Sequence, residues 1–223
     1  GFVAPDSPDG AVAFSVDGLD VTVPDDGSSL LGALRDHLGR RSPKDGCSPQ
    51  GQCGCCTVLV DGAPRVACVT PVRRIAGRSI TTFDGLDEAT TEAWTGALCA
   101  TRGSQCGFCT PGIVVRLAAL ADKGTPVDDH AAVHRALAAH LCRCTGWQTI
   151  VEAWDRLGEP AGDRDLDAAS VRATIEGRAP QRVAPEVAAG RGGFADDTAP
   201  DDALVAVRAT DGSWAVGETV AEA

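Results

Sequence analysis

Residues 46–68, GCSPQGQCGCCTVLVDGAPRVAC, decide the fold of this chain. A loop rich in glycine and cysteine leads into two apolar runs, TVLV and RVACV, with Asp61-Gly62 between them. This dipeptide between two such runs predicts a β-hairpin. We expect the second strand of the hairpin to return a fourth cysteine to the loop. The resulting group, called here the first quartet, consists of Cys47, Cys53, Cys56 and Cys68.

The spacing within the first quartet favours an iron–sulfur cluster. Plant-type [2Fe–2S] ferredoxins use Cys-x4-Cys-x2-Cys followed by a distant cysteine, and this chain has one additional residue in the first gap. Glycines in the loop allow backbone N–H groups to approach the negatively charged sulfurs closely. A four-cysteine zinc site is the alternative, because Cys-x2-Cys is common to both kinds of site. Three closely spaced cysteines in a glycine loop favour the cluster.

Four further cysteines form a second quartet: Cys106, Cys109, Cys142 and Cys144. Each of its two pairs lies just before a predicted helix, and the positive N-terminal ends of two helices favour a dianionic cluster between them. The Cys-x-Cys spacing of the second pair is unusual for structural zinc, which prefers gaps of two to four residues. The sequence therefore predicts a second, separate cluster.

The segments around the first quartet predict a small α+β sheet with a helix on one face, spanning residues 11–86. A second hairpin is expected over residues 11–23, a serine-capped helix follows from Leu30, and a late strand covers residues 78–83. Residues 87–158 predict a four-helix domain. Its helices are expected at residues 88–101, from Thr110 onward, at 130–141 and at 149–157.

The two ends of the chain differ in composition from these domains. Residues 1–10 are polar and rich in proline, which predicts a disordered tail. Residues 159–223 are expected to form a linker or a segment lying over a partner. Within this segment the sequence predicts a short helix over residues 167–175 and two strands near 203–209 and 213–218.

Other residues with metal-binding chemistry are better interpreted as structural. Cys55 and Cys99 are expected to be small buried apolar side chains. His130 and His134 are spaced i, i+4 and could bind a metal, although a solvated helical pair is the preferred interpretation. Surface helix positions are expected for the remaining two histidines, His37 and His140.

Composition excludes several classes of protein. The 223 residues carry a net charge of −11, and no basic face is available to bind nucleic acid. The sequence contains no run of 18 apolar residues, so it predicts no transmembrane helix. Ten cysteines occur without a visible secretion signal, so a disulfide framework is disfavoured and a cytoplasmic protein is expected.

Three motifs together, GCSPQGQCGCCTVLVDGAPRVAC, QCGFCTPG and LCRCTGWQTIVEA, resemble the iron–sulfur subunit of the molybdenum hydroxylases. This family includes xanthine dehydrogenases, aldehyde oxidoreductases, carbon monoxide dehydrogenases and bacterial N-heterocycle hydroxylases. The resemblance covers residues 11–158. It implies an α+β chain with an N-terminal β-grasp, plant-ferredoxin-like domain followed by an all-α four-helix domain.

The resemblance also implies cofactors and partners. Two [2Fe–2S] clusters would lie in this chain, the first quartet holding the flavin-side cluster and the second quartet the molybdenum-side cluster. Gln105 and Cys144 match positions on the pterin side. Molybdenum bound to molybdopterin, as the cytosine dinucleotide or a similar form, is implied on a large partner subunit. FAD is implied on a medium partner subunit, in a dimer of heterotrimers.

The C-terminal stretch bears a weaker resemblance to the start of the family's molybdenum subunit. The stretch is GRAPQRVAPEVAAGRGGFADDTAPDDALVAVRA followed by WAVGETVAEA, and it suggests that the chain is the first part of a fused polypeptide. An unrelated extension that wraps a partner is the alternative.

Three functions follow as hypotheses. The first is an electron-transfer subunit that carries electrons from a molybdopterin centre through two clusters to FAD, without residues for bond chemistry of its own. The second is a free-standing two-cluster ferredoxin. The third is a zinc-binding interaction module, which would contain zinc and no iron.

Overall fold

The computed structural model describes residues 10–159, 165–178, 183–200 and 203–218, together with Glu222. The predicted tail lies almost wholly outside these residues. The chain divides into two compact units, residues 1–192 and 193–223. No helix among the described residues is long and apolar enough to cross a membrane.

A five-stranded mixed sheet forms the N-terminal part of the first unit, with strand order β2-β1-β5-β3-β4. Its strands are β1 (Ala11–Val16), β2 (Leu19–Pro24), β3 (Thr57–Val60), β4 (Ala63–Val66) and β5 (Ser79–Thr81). Both predicted hairpins are present: β1 pairs with β2, and β3 pairs with β4, in antiparallel register. β1 and β5 run parallel at the centre, which joins the two hairpins into one sheet.

A short helix packs against this sheet, and its first residue is Leu30, as the sequence predicts. α1 (Leu30–Gly32) begins at Ser29, whose hydroxyl accepts a hydrogen bond from the Gly32 N–H at 3.2 Å, and it continues as a π-helical turn over Ala33–His37. Leu30 and Leu34 are fully buried in the same apolar cluster as the strand residues. The sequence thus predicts the cap and the buried face correctly.

Cys68 was expected on a strand, and this expectation is wrong. β4 ends at Val66, and Cys68 lies in a 3-10 turn over Ala67–Val69. The backbone turns here because the Ala67 N–H donates to the Cys56 carbonyl and the Cys68 N–H donates to the Cys56 sulfur. The bend still delivers Cys68 to the loop of the first quartet.

Four helices lie between residues 88 and 155: α2 (Glu88–Thr101), α3 (Thr110–Ala121), α4 (His130–Leu137) and α5 (Gln148–Asp155). Asp87 caps α2, Asp129 caps α4, and a proline occupies the first turn of α3. α2 packs against α5 through Trp94 and Trp154, whose ring centroids are 6.1 Å apart.

α4 ends four residues earlier than the predicted 130–141. Helical propensity favoured continuation through ALAAHL, but the chain leaves the helix after Leu137. The Leu141 N–H instead donates to the Cys53 carbonyl at 2.9 Å. A contact across the sequence therefore overrides the local preference.

The C-terminal segment contains more regular structure than a linker. α6 (Leu166–Ile175) and α7 (Pro185–Ala188) belong to the first unit. α7 contributes buried Val187 and Ala188. The second unit contains α8 (Ala195–Thr198) and an antiparallel pair, β6 (Val205–Arg208) and β7 (Trp214–Gly217), which confirms the two predicted strands.

Candidate metal centres

The thiols of the first quartet interact with one another. Cys47 acts on the pKa of Cys53 and the reverse, and Cys68 acts on the pKa of Cys56. Cys53 and Cys56 also interact electrostatically, which links the two ends of the quartet. Three of the four residues are buried, and Cys47 is half-buried. The loop and the turn after β4 therefore bring together all four residues that the sequence singled out.

Backbone N–H groups point at the sulfurs of this quartet. The Gln50 N–H donates to the Cys47 sulfur, and the Cys68 N–H donates to the Cys56 sulfur, each at 3.4 Å. Burial opposes ionisation of Cys47, but N–H donors from Gln52, Cys53 and Gln50 outweigh it and lower the pKa of this thiol to about 6. Burial raises the pKa of Cys53 and Cys56. The loop thus stabilises negative charge on sulfur most strongly at Cys47.

The thiols of the second quartet also interact with one another. Cys106 is paired with Cys144, and Cys109 is paired with Cys142. The hydrogen bond with Cys109 is the main cause that lowers the pKa of Cys142 to about 5, and it raises the pKa of Cys109. The Thr145 N–H adds a bond to the Cys142 sulfur at 3.4 Å.

The two quartets differ in exposure. Cys109 is buried at the start of α3 and Cys142 is half-buried, whereas Cys106 and Cys144 are exposed. Gln105, beside Cys106, is half-buried. The second quartet therefore opens to the protein surface while the first lies mostly inside the fold.

Cys55 belongs to neither quartet, although its thiol interacts with the Cys53 thiol as Cys47 does and its Sγ donates to the Cys53 carbonyl at 3.7 Å. It is 4% exposed, belongs to the same apolar cluster as Cys53 and Cys109, and interacts electrostatically with residues of both quartets. Burial raises its pKa strongly. A cavity of about 460 Å³ adjoins this region, lined by cysteines of both quartets together with Gly46, Phe108 and Arg143. The prediction of a small buried side chain is confirmed.

His140 is the residue whose place the sequence interpretation missed. It was expected at a surface helix position, but it lies beyond the end of α4 and is only 4% exposed. Its Nε2 is 3.1 Å from the Thr57 hydroxyl. Burial, followed by the nearby Arg116 guanidinium, lowers the pKa of His140 to about 4. The sequence signal that could have indicated this buried place was its position two residues before Cys142, in the segment that leads into the second quartet.

The remaining candidates have structural surroundings. His130 Nε2 is 2.7 Å from an Asp155 carboxylate oxygen, and His134 packs against the Trp147 ring with centroids 6.5 Å apart. Cys99 was expected to be buried but is only half-buried on α2. Among the described residues, no group of three or more His, Cys, Asp or Glu side chains surrounds a point where a single metal ion could bind.

Two protein-family descriptions match the chain. Residues 14–73 match the 2Fe-2S iron-sulfur cluster binding domain, which contains the first quartet. Residues 82–155 match the [2Fe-2S] binding domain, which contains the second. Each family match thus includes one complete quartet.

Individual relatives agree with this assignment. The isoquinoline 1-oxidoreductase subunit alpha of Brevundimonas diminuta is 37% identical over 139 residues, which cover 62% of this chain and 90% of that subunit. The aldehyde oxidoreductase of Megalodesulfovibrio gigas is 37% identical over 151 residues, but the chain spans only 16% of its length.

A solved structure extends the likeness beyond the two domains. The aldehyde oxidoreductase from Desulfovibrio gigas aligns with a TM-score of 0.68 and 28% identity, covering 89% of this chain and 23% of that one. With both quartets matched by [2Fe–2S] domains and a relative covered almost end to end, the chain belongs to the family of iron–sulfur subunits of the molybdenum hydroxylases.

Proposed function

We propose that this chain transfers electrons within a molybdenum hydroxylase, from a molybdopterin centre on one partner to FAD on another. The observation that carries the proposal is the presence of two separate thiol quartets, one mostly buried and one open to the surface. In this proposal the chain conducts electrons, and substrate oxidation belongs to the partner.

The donor sets fit [2Fe–2S] clusters. A [2Fe–2S] cluster is held by four cysteine thiolates, and each quartet would supply four, with thiols that interact with one another. When bound, a cluster of this type accepts and releases one electron at a time. The N–H donors at Cys47, Cys56, Cys106 and Cys142 would compensate thiolate charge. We assign all eight cysteines as ligands on this basis.

Exposure supports the assignment of sides. We place the first quartet on the flavin side and the second on the molybdenum side, where the exposed Cys144 and the half-buried Gln105 would face the pterin. A partner that covers Cys106 and Cys144 would also shield the cluster from water, and burial is one of the factors that set a cluster's potential.

The organisation that we propose has a β-grasp domain at residues 11–86 and a four-helix domain at residues 87–158, followed by a segment that packs on the molybdenum subunit or continues into it. Continuation is supported by the alignment with the D. gigas structure. It covers 89% of this chain, more than residues 1–158 contain, so it includes part of the C-terminal segment.

The assembly that we propose contains a large subunit with molybdenum bound to molybdopterin, as the cytosine dinucleotide or a similar form. It also contains a medium FAD subunit, and two such trimers form a dimer. A cytoplasmic location is supported by the cysteines, because none of the ten forms a disulfide and disulfides are rare in reducing compartments.

Chemical reduction followed by electron paramagnetic resonance (EPR) tests the proposal. The purified complex should contain four irons per copy of this chain, and dithionite should produce two distinct [2Fe–2S] signals. A colourless protein with zinc would favour the interaction module instead. A monomer with full redox activity on size-exclusion chromatography would favour the free-standing ferredoxin.

A further inference from the structure

The two quartets are held together by direct contact between the segments that carry them. Residues 53–57 of the first quartet's loop pass against residues 139–141, which lead into the second quartet. The Leu141 N–H donates to the Cys53 carbonyl at 2.9 Å. No side chain separates the two backbones at this point, so the contact fixes how far apart the quartets lie.

Two glycines allow close packing around this contact. A Cβ atom added at Gly54 would lie 2.6 Å from the Ala139 carbonyl oxygen and would press residues 53–57 away from residues 139–141. Gly112 lies in α3, just after Cys109, and a Cβ there would meet the Gly54 and Cys55 carbonyl oxygens and press α3 away from the same loop. Atoms in ordinary contact are about 3.5 Å apart, so each displacement would be roughly 1 Å. Gly54 also has a positive φ of 70°, which other residues rarely adopt.

His140 makes hydrogen bonds beside the contact between residues 53–57 and 139–141. The Thr57 hydroxyl donates to the Gly54 carbonyl at 2.8 Å, so the same hydroxyl oxygen must accept from His140 Nε2–H at 3.1 Å. This assigns the Nε2–H tautomer of a neutral ring. The His140 carbonyl in turn accepts from the Trp147 indole N–H at 2.9 Å. One buried residue thus bonds to β3 through its side chain and to the segment before α5 through its backbone.

This arrangement has an energetic cost at the other ring nitrogen of His140. His140 Nδ1 is buried and has no hydrogen-bond partner among the described residues. A buried polar atom without a partner costs about 1–3 kcal/mol. A residue chosen for stability alone would avoid this cost, which points to a function for the placement of the ring.

We infer that His140 is a positioning residue that, together with Gly54 and Gly112, sets the separation of the two cluster sites. The inference rests on the proposed function, since it assumes a cluster at each quartet. Electron transfer between two sites slows steeply with distance, so a contact that prevents their separation acts directly on conduction.

The test uses the intact complex and the magnetic interaction between its two reduced clusters. His140→Ala removes the bond to Thr57, whereas His140→Gln keeps a polar atom near the position of Nε2. Thr57→Val removes the hydroxyl while leaving His140 in place. His130→Ala is the matched control, because it removes an exposed histidine–carboxylate pair on a neighbouring helix.

We expect four irons and both EPR signals in every variant. The splitting that arises from interaction between the clusters should decrease in His140→Ala and in Thr57→Val, and remain at the wild-type value in His140→Gln and His130→Ala. Unchanged splitting in both His140→Ala and Thr57→Val would overturn the inference. Loss of iron in both would also overturn it, because the contact would then serve folding only.

Failure of the proposed function would be seen separately. In that case the wild-type complex itself would lack one of the two [2Fe–2S] signals, before any variant is compared.

Discussion

Substitution of Gly107 tests how the second quartet is supported. This glycine lies between Cys106 and Cys109 with a φ of 80°, and a Cβ there would collide with the backbone carbonyl of Val187 in α7. Gly146, two residues after Cys144, has a φ of 62° and no atom within 4 Å of the added Cβ. The two positions share backbone strain and differ only in crowding.

The expected magnitudes follow from this difference. An alanine in the left-handed region costs about 1–2 kcal/mol at either position. Gly107→Ala must in addition displace Val187, which is 3% exposed, and the loss of a fully buried valine costs about 1.5–3 kcal/mol. For a chain of this size, 1 kcal/mol changes Tm by roughly 2–4 °C. Gly107→Ala should therefore lower Tm by roughly 3–12 °C more than Gly146→Ala does.

Thermal unfolding monitored by loss of the cluster absorbance measures this difference, and EPR shows which cluster is affected. We expect Gly107→Ala to weaken the molybdenum-side signal selectively, because the strained loop carries two of its ligands. Equal Tm values for the two variants would refute the reasoning, since α7 would then give no support to the loop.

Three further predictions concern the ligand assignment, thiol reactivity and the cap of α4. Cys144→Ser should weaken the molybdenum-side EPR signal and slow reoxidation of molybdenum in stopped-flow measurements, whereas Cys55→Ser should retain both signals; loss of a cluster in Cys55→Ser would contradict the ligand assignment. After iron removal, iodoacetamide at pH 7 should modify Cys47 and Cys142 fastest by mass spectrometry, because their lowered pKa values of about 6 and about 5 leave them as thiolates. The rates at which Cys47 and Cys142 are modified should fall as the pH drops through those values. Modification of Cys55 at an equal rate would contradict the conclusion that burial keeps its thiol protonated. Asp129→Ala removes the cap of α4 and should cost about 1 kcal/mol of unfolding free energy, while Asp129→Asn should stay near wild type.

Local signals account for what could be predicted from the sequence. Asp17-Gly18 and Asp61-Gly62 mark hairpin turns because both need positive φ, and the structure has positive φ at all four residues. The start of α2 follows from its cap at Asp87, and the helix ends where Arg102 takes the left-handed conformation. Cysteine spacing identified parts of each quartet for the same reason: Cys47, Cys53 and Cys56 lie in one loop, and Cys106 and Cys109 lie in another.

Contacts between distant segments account for what was missed. The early end of α4 and the burial of His140 both depend on residues 53–57, more than 80 positions earlier. The turn at Cys68 depends on bonds to Cys56. The pattern of apolar residues within a segment does not show hydrogen-bond partners elsewhere in the chain. Patterns alone therefore predict α4 and β4 to be longer than they are.

The central claim is that eight named cysteines hold two separate iron pairs, and an anomalous difference map collected at the iron edge from crystals of the complex tests it most directly. We predict four iron peaks per chain, two between the sulfurs of the first quartet and two between those of the second. A single peak at either quartet, a zinc edge in place of iron, or iron bound at Cys55 or Cys99 would contradict it.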